Sequence, residues 1–153
     1  MISIPVDHPD VEEFIGIKQN TDRVTKANIS IRITDRFMGA VKNREPFTLS
    51  FTREETGETI TKTVDAYELF HKICESNWDY AEPGILMWNR IENWNLLSCD
   101  EEFKYGGVNP CAEEPLPPGG SCLLASINLS EFVTKNRTFD FEDFANTVDI
   151  AEK

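Results

Sequence analysis

Positive charge is scarce in this sequence. Fifteen Lys and Arg stand against 27 Asp and Glu among 153 residues, a formal net charge of −12. Nothing offers a basic stripe, so a nucleic acid or an anionic membrane surface is disfavoured as a partner. No apolar run approaches the roughly 20 residues that span a bilayer, and no secretory signal opens the chain. These readings point to a cytoplasmic protein with reduced thiols. Cysteine is sparse, four in all. Cys74, Cys99, Cys111 and Cys122 include no Cys-x-x-Cys pair, which argues against a zinc ribbon or a thioredoxin-like motif, and no metal site is expected. Internal repeats and low-complexity segments are lacking too. What remains is an ordinary globular composition, 40% hydrophobic and 27% charged, long enough for one domain with a real core.

Taken in order, Ile2 and Ile4 flank Ser3 as a short strand, and Asp7-His8-Pro9 is a turn. Asp10 is placed to cap a helix through about Lys18, with Glu12 and Glu13 where the helix dipole favours acids. Residues 19–26 read as polar loop. Over 27–33, Ile29, Ile31 and Ile33 alternate with Asn28, Ser30 and Arg32, a strand whose polar face either lines a site or meets solvent. Thr34 or Asp35 caps a second helix closed by Pro46, with Phe37, Met38 and Val41 on its buried side. Residues 47–52 and 59–64 flank Gly57 as a hairpin, expected as surface decoration. Asp65 caps a helix to about Tyr80, with Leu69, Phe70, Ile73 and Cys74 on one face and Trp78 near it. Cys74 thus reads as a small core residue, and His71 as a solvated helix histidine. After Pro83-Gly84, residues 85–97 read as helix with Trp88, Ile91, Trp94 and Leu97 in its pattern. No role stands out for Cys99. Residues 123–129 read as a buried strand, 137–140 as a turn, and Glu142 or Asp143 as the start of a last helix.

The stretch richest in chemistry is Asn109-Pro110-Cys111-Ala112-Glu113: a thiol, an amide and a carboxylate in five residues. Glycines and prolines frame it, as a loop requires. If that loop is extended, positions 109, 111 and 113 share one side. Cys122 follows at the head of the apolar run. On spacing alone, Cys111 reads as a plain loop cysteine ahead of a functional one, and Cys122 as a buried strand cysteine.

Asn109-Pro110-Cys111-Ala112-Glu113, followed by Ser121-Cys122-Leu123-Leu124-Ala125-Ser126-Ile127-Asn128-Leu129, resembles the finger loop and next strand of ribonucleotide reductase large subunits. The Asn-Pro-Cys form is most similar to the adenosylcobalamin-dependent (class II) enzymes. Three further blocks resemble the family in family order: Val6 to Ile15, Asn28-Ile29-Ser30-Ile31 with Thr34 to Met38, and Glu82-Pro83-Gly84-Ile85-Leu86-Met87-Trp88.

The resemblance implies an α/β fold. The chain, residues 1–153, would be an incomplete central part of the family's ten-stranded barrel domain, with the finger loop through its centre. It implies reduction of ribonucleotides to deoxyribonucleotides by thiyl-radical chemistry, with adenosylcobalamin as cofactor. Cys111 would carry the thiyl, Glu113 would be the base on the 3′-hydroxyl, and Asn109 would hydrogen-bond the ribose. Asn28 and Ser30 would lie near the substrate, and Glu114 would face away. Cys122 would be half of a redox dithiol whose partner is neither Cys74 nor Cys99, reduced by a thioredoxin-type protein. The remaining partners would be the ribonucleotide and the other segments or subunits of the enzyme, so that the isolated chain would be inactive. A subunit of a split enzyme, a non-catalytic binding remnant with an acidic surface, and a diiron- or tyrosyl-radical-linked class I enzyme remain as alternatives.

Overall fold

The computed structural model describes residues 1–19 and 24–153. These form two compact units, Met1–Gly120 and Ser121–Lys153. The expected polar loop at 19–26 lies in part outside the described residues, and Gln19 ends a single 3-10 turn.

The first unit is built on a parallel sheet. Strands β1 (Ile2–Pro5) and β5 (Gly84–Met87) flank β2 (Ile29–Ile33). Ser30 stands level with Ser3 and Gly84, and Ile31 with Ile4 and Ile85. Side chains alternate across a strand, so Ile31 and Ile33 face the helices while Ser30 and Arg32 face the other way. Ser30 is nevertheless only 3% exposed, because a central parallel strand is covered on both faces.

Helix α1 (Val11–Ile15) is shorter than its apolar spacing predicts and lacks the expected cap. Asp10 makes no side-chain cap bond; its own N–H donates to His8 Nδ1 at 3.1 Å. Gly16, a poor helix former, ends the helix, and the 3-10 turn carries Lys18 off the helical line. Helix α2 (Asp35–Asn43) starts as expected, with Thr34 Oγ1 accepting from the Phe37 N–H at 3.2 Å. It stops at Arg44, in the left-handed region at φ 56°, and Pro46 already belongs to the next strand.

Strands β3 (Pro46–Thr52) and β4 (Thr59–Asp65) pair antiparallel around the expected hairpin, with Gly57 at φ 69°. The hairpin is more than decoration: Phe47 and Leu49 alternate inward into the main core with Ile31, Ile33, Phe37, Leu69 and Ile73. Phe37 and Phe47 meet edge to face, 5.0 Å between centroids, a favourable aromatic geometry.

Helix α3 (Ala66–Tyr80) is capped by Asp65 Oδ1, which accepts from the Glu68 N–H at 3.0 Å. Its buried line runs Ala66, Leu69, Ile73, Ser76. Cys74, expected in the core, is exposed, because one step of 100° past Ile73 turns it off that line. Trp78 lies outside as well, 89% exposed. The expected helix at 85–97 is a strand for its first part. Gly84–Met87 pairs with the edge of β2, and helix α4 covers only Trp88–Asn93. A four-residue apolar run suits a buried strand as well as a helix, and β2 offers it backbone partners. Trp88 is buried, whereas Trp94 is 81% exposed and Leu97 half exposed.

In the second unit the expected strand at 123–129 does not form. No described strand pairs with it, and Leu123 and Leu124 stand 92% and 90% exposed. A strand without a partner edge leaves its backbone groups to water and gains nothing over an irregular chain. A 3-10 turn at Leu129–Phe132 follows, then a bridge of Val133 to Phe139, then helix α5 (Phe141–Ala151). The expected turn contains Arg137 at φ 60°. Asp140, two or three residues before the expected start, caps α5 by accepting from the Asp143 N–H at 3.0 Å. Phe132, Phe139 and Phe144 pack together at centroid distances of 5.3 to 5.9 Å.

Candidate active site

Two short strands, β6 (Gly107–Val108) and β7 (Pro115–Leu116), pair antiparallel and hold the 109–114 segment as a turn. The turn is latched by Asn109. Its backbone N–H donates to the Glu114 carbonyl at 3.1 Å, and its Oδ1 accepts from the Glu114 N–H at 3.0 Å. The Asn109 carbonyl accepts from the Ala112 N–H at 3.0 Å, and Ala112 takes φ 68°. The backbone is therefore not extended here, and the alternation that would align positions 109, 111 and 113 does not operate. Asn is favoured at such positions because its side chain bonds the backbone of its own turn; Asn-Pro is a turn signal readable from the sequence.

Cys111 is exposed at the tip of this turn. Together with Pro110 and Ala112 it closes a cavity of about 200 Å³ against β2 and β5, where Asn28, Ser30 and Gly84 line the opposite side. The structure thus brings Cys111 to the strand positions singled out beside it. Asn28 is exposed, and the Ser30 side chain makes no hydrogen bond among the described residues. A Cβ on residue 84 would stand 2.8 Å from Ser30 Oγ, so the glycine leaves that hydroxyl its room.

Glu82 also lines this cavity, but its carboxylate is committed. Oε1 accepts from the Ile29 N–H at 3.0 Å, and Oε2 from Lys18 Nζ at 2.7 Å. Lys18 Nζ further donates to the Ala27 carbonyl at 2.7 Å. The next loop is pinned from α3: Ser76 Oγ lies 3.0 Å from the carbonyls of both Ile15 and Glu82, and Asn77 Nδ2 donates to Pro83 O at 3.1 Å. These contacts fix β5, and with it the floor of the cavity. Sequence reasoning noticed Glu82-Pro83-Gly84 without a role; its signal was a carboxylate directly before a Pro-Gly break.

Glu113 goes elsewhere. It lines a separate groove of about 430 Å³ with Arg90, Trp94 and Tyr105. The turn therefore sends thiol and carboxylate to different cavities, with Ala112 bordering both. Cys122 belongs to the second unit and is half-buried.

A larger cavity, about 920 Å³, lies on the helical side between α1 and α3, with His71, Lys72, Cys74 and Trp78 on its walls. Its size is a poor guide to chemistry. His71 Nδ1 lies 3.3 Å from Glu75 Oε1, and Lys72 is paired with Glu12, so four of its ionisable groups face one another. Among the described residues no group of three or more His, Cys, Asp or Glu converges as a metal site would, and no helix is long and apolar enough to cross a membrane.

A thiol on a latched turn over the polar face of a parallel sheet defines an α/β domain that presents cysteine chemistry from a loop. Comparison with known proteins makes the assignment specific. The family model described as "Ribonucleotide reductase, barrel domain" matches residues 1–153. The vitamin B12-dependent ribonucleotide reductase of Streptomyces clavuligerus is 34% identical over 177 residues, covering 98% of this chain and 18% of its own length. The vitamin B12-dependent ribonucleoside-diphosphate reductase of Thermoplasma acidophilum is 34% identical over 143 residues, 93% of this chain and 18% of its own. That of Mycobacterium tuberculosis is 31% identical over 138 residues, 90% and 19%. The chain belongs to the ribonucleotide reductase barrel-domain family and spans about a fifth of the length of these relatives. Its sheet is α/β as expected, and no closed barrel forms among the described residues.

Proposed function

We propose that this chain supplies the thiyl-bearing part of a vitamin B12-dependent ribonucleotide reductase. The observation that carries the reading is the cavity that joins Cys111 to Asn28 and Ser30 in a chain matched by the family along its whole length. In this reading the sulfur radical of Cys111 takes the 3′-hydrogen of the ribose, leaving a thiol and a carbon radical. That radical weakens the neighbouring C2′–O bond, and the 2′-hydroxyl leaves as water once protonated. Two electrons come from a dithiol that includes Cys122 and becomes a disulfide, to be reduced in turn by a thioredoxin-type protein of the cytoplasm. The rigid turn contributes position: a tethered thiol converts an encounter into a near-attack geometry. Asn109 serves that end as the latch, and Asn28 and Ser30 hydrogen-bond the ribose. Glu113, across Ala112 from the thiol and on the neighbouring groove, is the base on the 3′-hydroxyl in this reading.

The names of the relatives support adenosylcobalamin as the cofactor, which supplies an organic radical when bound. The described residues do not seat it. The Cys111 cavity of about 200 Å³ is too small for a corrin ring, and neither His8 nor His71 lines it. The seat is assigned to the other segments of the enzyme, and the isolated chain has no turnover. A second reading, a naturally split enzyme of which this is one subunit, predicts activity on assembly.

The test is deoxynucleotide formation from ribonucleoside di- and triphosphates, with adenosylcobalamin and a dithiol. The purified chain should be silent, and a mixture with the complementary segments of a relative active. Cys111→Ser should abolish that activity. Turnover by the chain alone would overturn its incompleteness; unchanged activity of the Cys111→Ser assembly would overturn the role of Cys111.

A further inference from the structure

Most ion pairs of this chain lie at the surface, and one does not. Among the described residues Lys18 and Glu82 form the most enclosed pair, with side chains 12% and 22% exposed. Arg53 and Glu58, by contrast, are both more than half exposed. Enclosing two charges costs desolvation that their attraction offsets only in good geometry, so such a pair adds little net stability. What it does is fix one arrangement of the groups it touches.

Those groups bracket Asn28. Lys18 Nζ donates to the carbonyl of Ala27 at 2.7 Å, and Glu82 Oε1 accepts from the N–H of Ile29 at 3.0 Å. Between them the Asn28 carbonyl accepts from the Ile2 N–H at 2.8 Å. Pairing of β2 with β5 begins only at Ser30 and Gly84. The Ile29 N–H therefore meets no strand carbonyl on that side, and the carboxylate supplies its acceptor. Three successive residues are held from three directions: the 3-10 turn after α1, strand β1, and the loop before β5. The Asn28 side chain is left exposed and makes no hydrogen bond among the described residues. It lines the Cys111 cavity with its backbone fixed and its carboxamide uncommitted.

We propose that the Lys18–Glu82 pair is the positioning device of this site: it holds Asn28 at the Cys111 cavity, where the Asn28 carboxamide meets the substrate. That Asn28 meets a ribose rests on the function proposed above; that the pair fixes Asn28 does not. Lys18 has a second task. Glu82 lines the same cavity, and an enclosed carboxylate deprived of its cation gains by turning to water, which here means letting go of Ile29. Lys18 therefore keeps Glu82 on the backbone and out of the cavity. Both are positioning residues that act through Asn28.

The test has two parts. In the whole chain labelled with nitrogen-15, Lys18→Met should speed amide exchange of Ile29 roughly tenfold more than that of Ile31 or of α3, one hydrogen bond being lost locally. The Asn28 N–H should become more mobile in relaxation measurements. Lys18→Met/Glu82→Gln should return most of the Ile29 protection, because the glutamine carbonyl still accepts from that N–H and no charge is left stranded. Glu82→Ala, which removes the acceptor and leaves Lys18 on Ala27, should also loosen Ile29 and serves if Lys18→Met does not fold. Equal acceleration throughout the sheet, or an Ile29 amide no faster than in wild type, overturns the proposal. A double variant as loose at Ile29 as Lys18→Met overturns the second task of Lys18. In the assembled enzyme of the previous test, Lys18→Met should lower kcat/KM about tenfold, as Asn28→Ala does, and the two together should lower it little further, because they remove the same contact. Losses that multiply would mean that the pair does not act through Asn28, and overturn the proposal. If Ile29 loosens as expected while Asn28→Ala keeps full activity, or while the assembly makes no deoxynucleotide, the pair still positions Asn28 and the ribose reading fails instead.

Discussion

Two apolar stretches of similar composition end in opposite states. Residues 29–33 form a strand buried between two neighbours, with Ile29, Ile31 and Ile33 all nearly inaccessible. Residues 123–129 form none, and two of their leucines stand in solvent. Both carry enough hydrophobic side chains for a core. The difference is hydrogen-bonding partners. β2 has β1 on one edge and β5 on the other, so its backbone groups are satisfied as its side chains are buried. The later stretch pairs with no strand among the described residues, and apolar pattern alone does not fold a strand.

The sharpest way to break this comparison is to truncate one side chain in each region. Phe37→Ala removes the ring at the centre of the main core, where Phe47 and Phe70 meet it, and should cost about 3–5 kcal/mol. Leu123→Ala should stay within about 0.5 kcal/mol, as solvent-exposed substitutions do. Urea unfolding followed by circular dichroism measures both. A Leu123→Ala loss of the same size as Phe37→Ala would mean that the leucine is packed after all.

A smaller effect should come from the peg that holds β5 to the helical layer. Ser76 is buried, and its single hydroxyl proton serves the carbonyls of Ile15 and Glu82. Ser76→Ala leaves both without that donor and should cost about 1–3 kcal/mol. Because Glu82 and Gly84 line the Cys111 cavity, amide exchange at 84–87 should speed up before the rest of the sheet. Uniform acceleration would show instead that β5 has no separate dependence on the peg.

How much of this was legible in the sequence follows the same line between pattern and partner. Strand β2, the hairpin around Gly57, and the caps Thr34 and Asp65 carry local signals: alternation, a turn residue, a side chain three residues before its N–H. Those were readable. Residues 85–87 were misread as helix because Ile85, Trp88 and Ile91 fall at helical spacing while the strand edge that claims Gly84–Met87 lies 54 positions upstream in register. The 109–114 turn was readable as a loop, and its residues as a site. Its closure was not, because the extended and latched forms have the same sequence and only Asn109 Oδ1 on the Glu114 N–H decides between them. Arg32 was placed on a polar face; that its buried Nε lacks an acceptor is a tertiary fact.

The two caps carry the comparison to single helices. Asp65→Ala and Asp140→Ala each remove one side-chain acceptor from a helix N-terminus and should each cost about 1 kcal/mol. In α3, packed into the main core, the loss should lower the global unfolding midpoint. In α5, which has no fully buried residue, it should show only as faster amide exchange at 141–151. A global shift from Asp140→Ala would mean that the second unit folds cooperatively with the first.

The smallest effect should be electrostatic. Glu12 in α1 accepts from Lys62 on the hairpin and from Lys72 on α3, the latter at 3.2 Å. The Lys62 hydrogen bond holds its carboxyl below the usual value of 4.5, with partial burial opposing and Lys72 assisting. A carboxylate with a depressed folded pKa adds stability that is complete above its unfolded value and is lost as pH falls through the folded one. Both lysines are more than half exposed, so water screens the cluster and its worth at neutral pH should stay under about 1 kcal/mol. Wild type should therefore be slightly more stable than Glu12→Gln at pH 7, and the gap should close on acidification below 4.5. Urea midpoints across that range test it, and a gap that widens toward low pH would reverse the sign and remove Glu12 as the link between hairpin and helices.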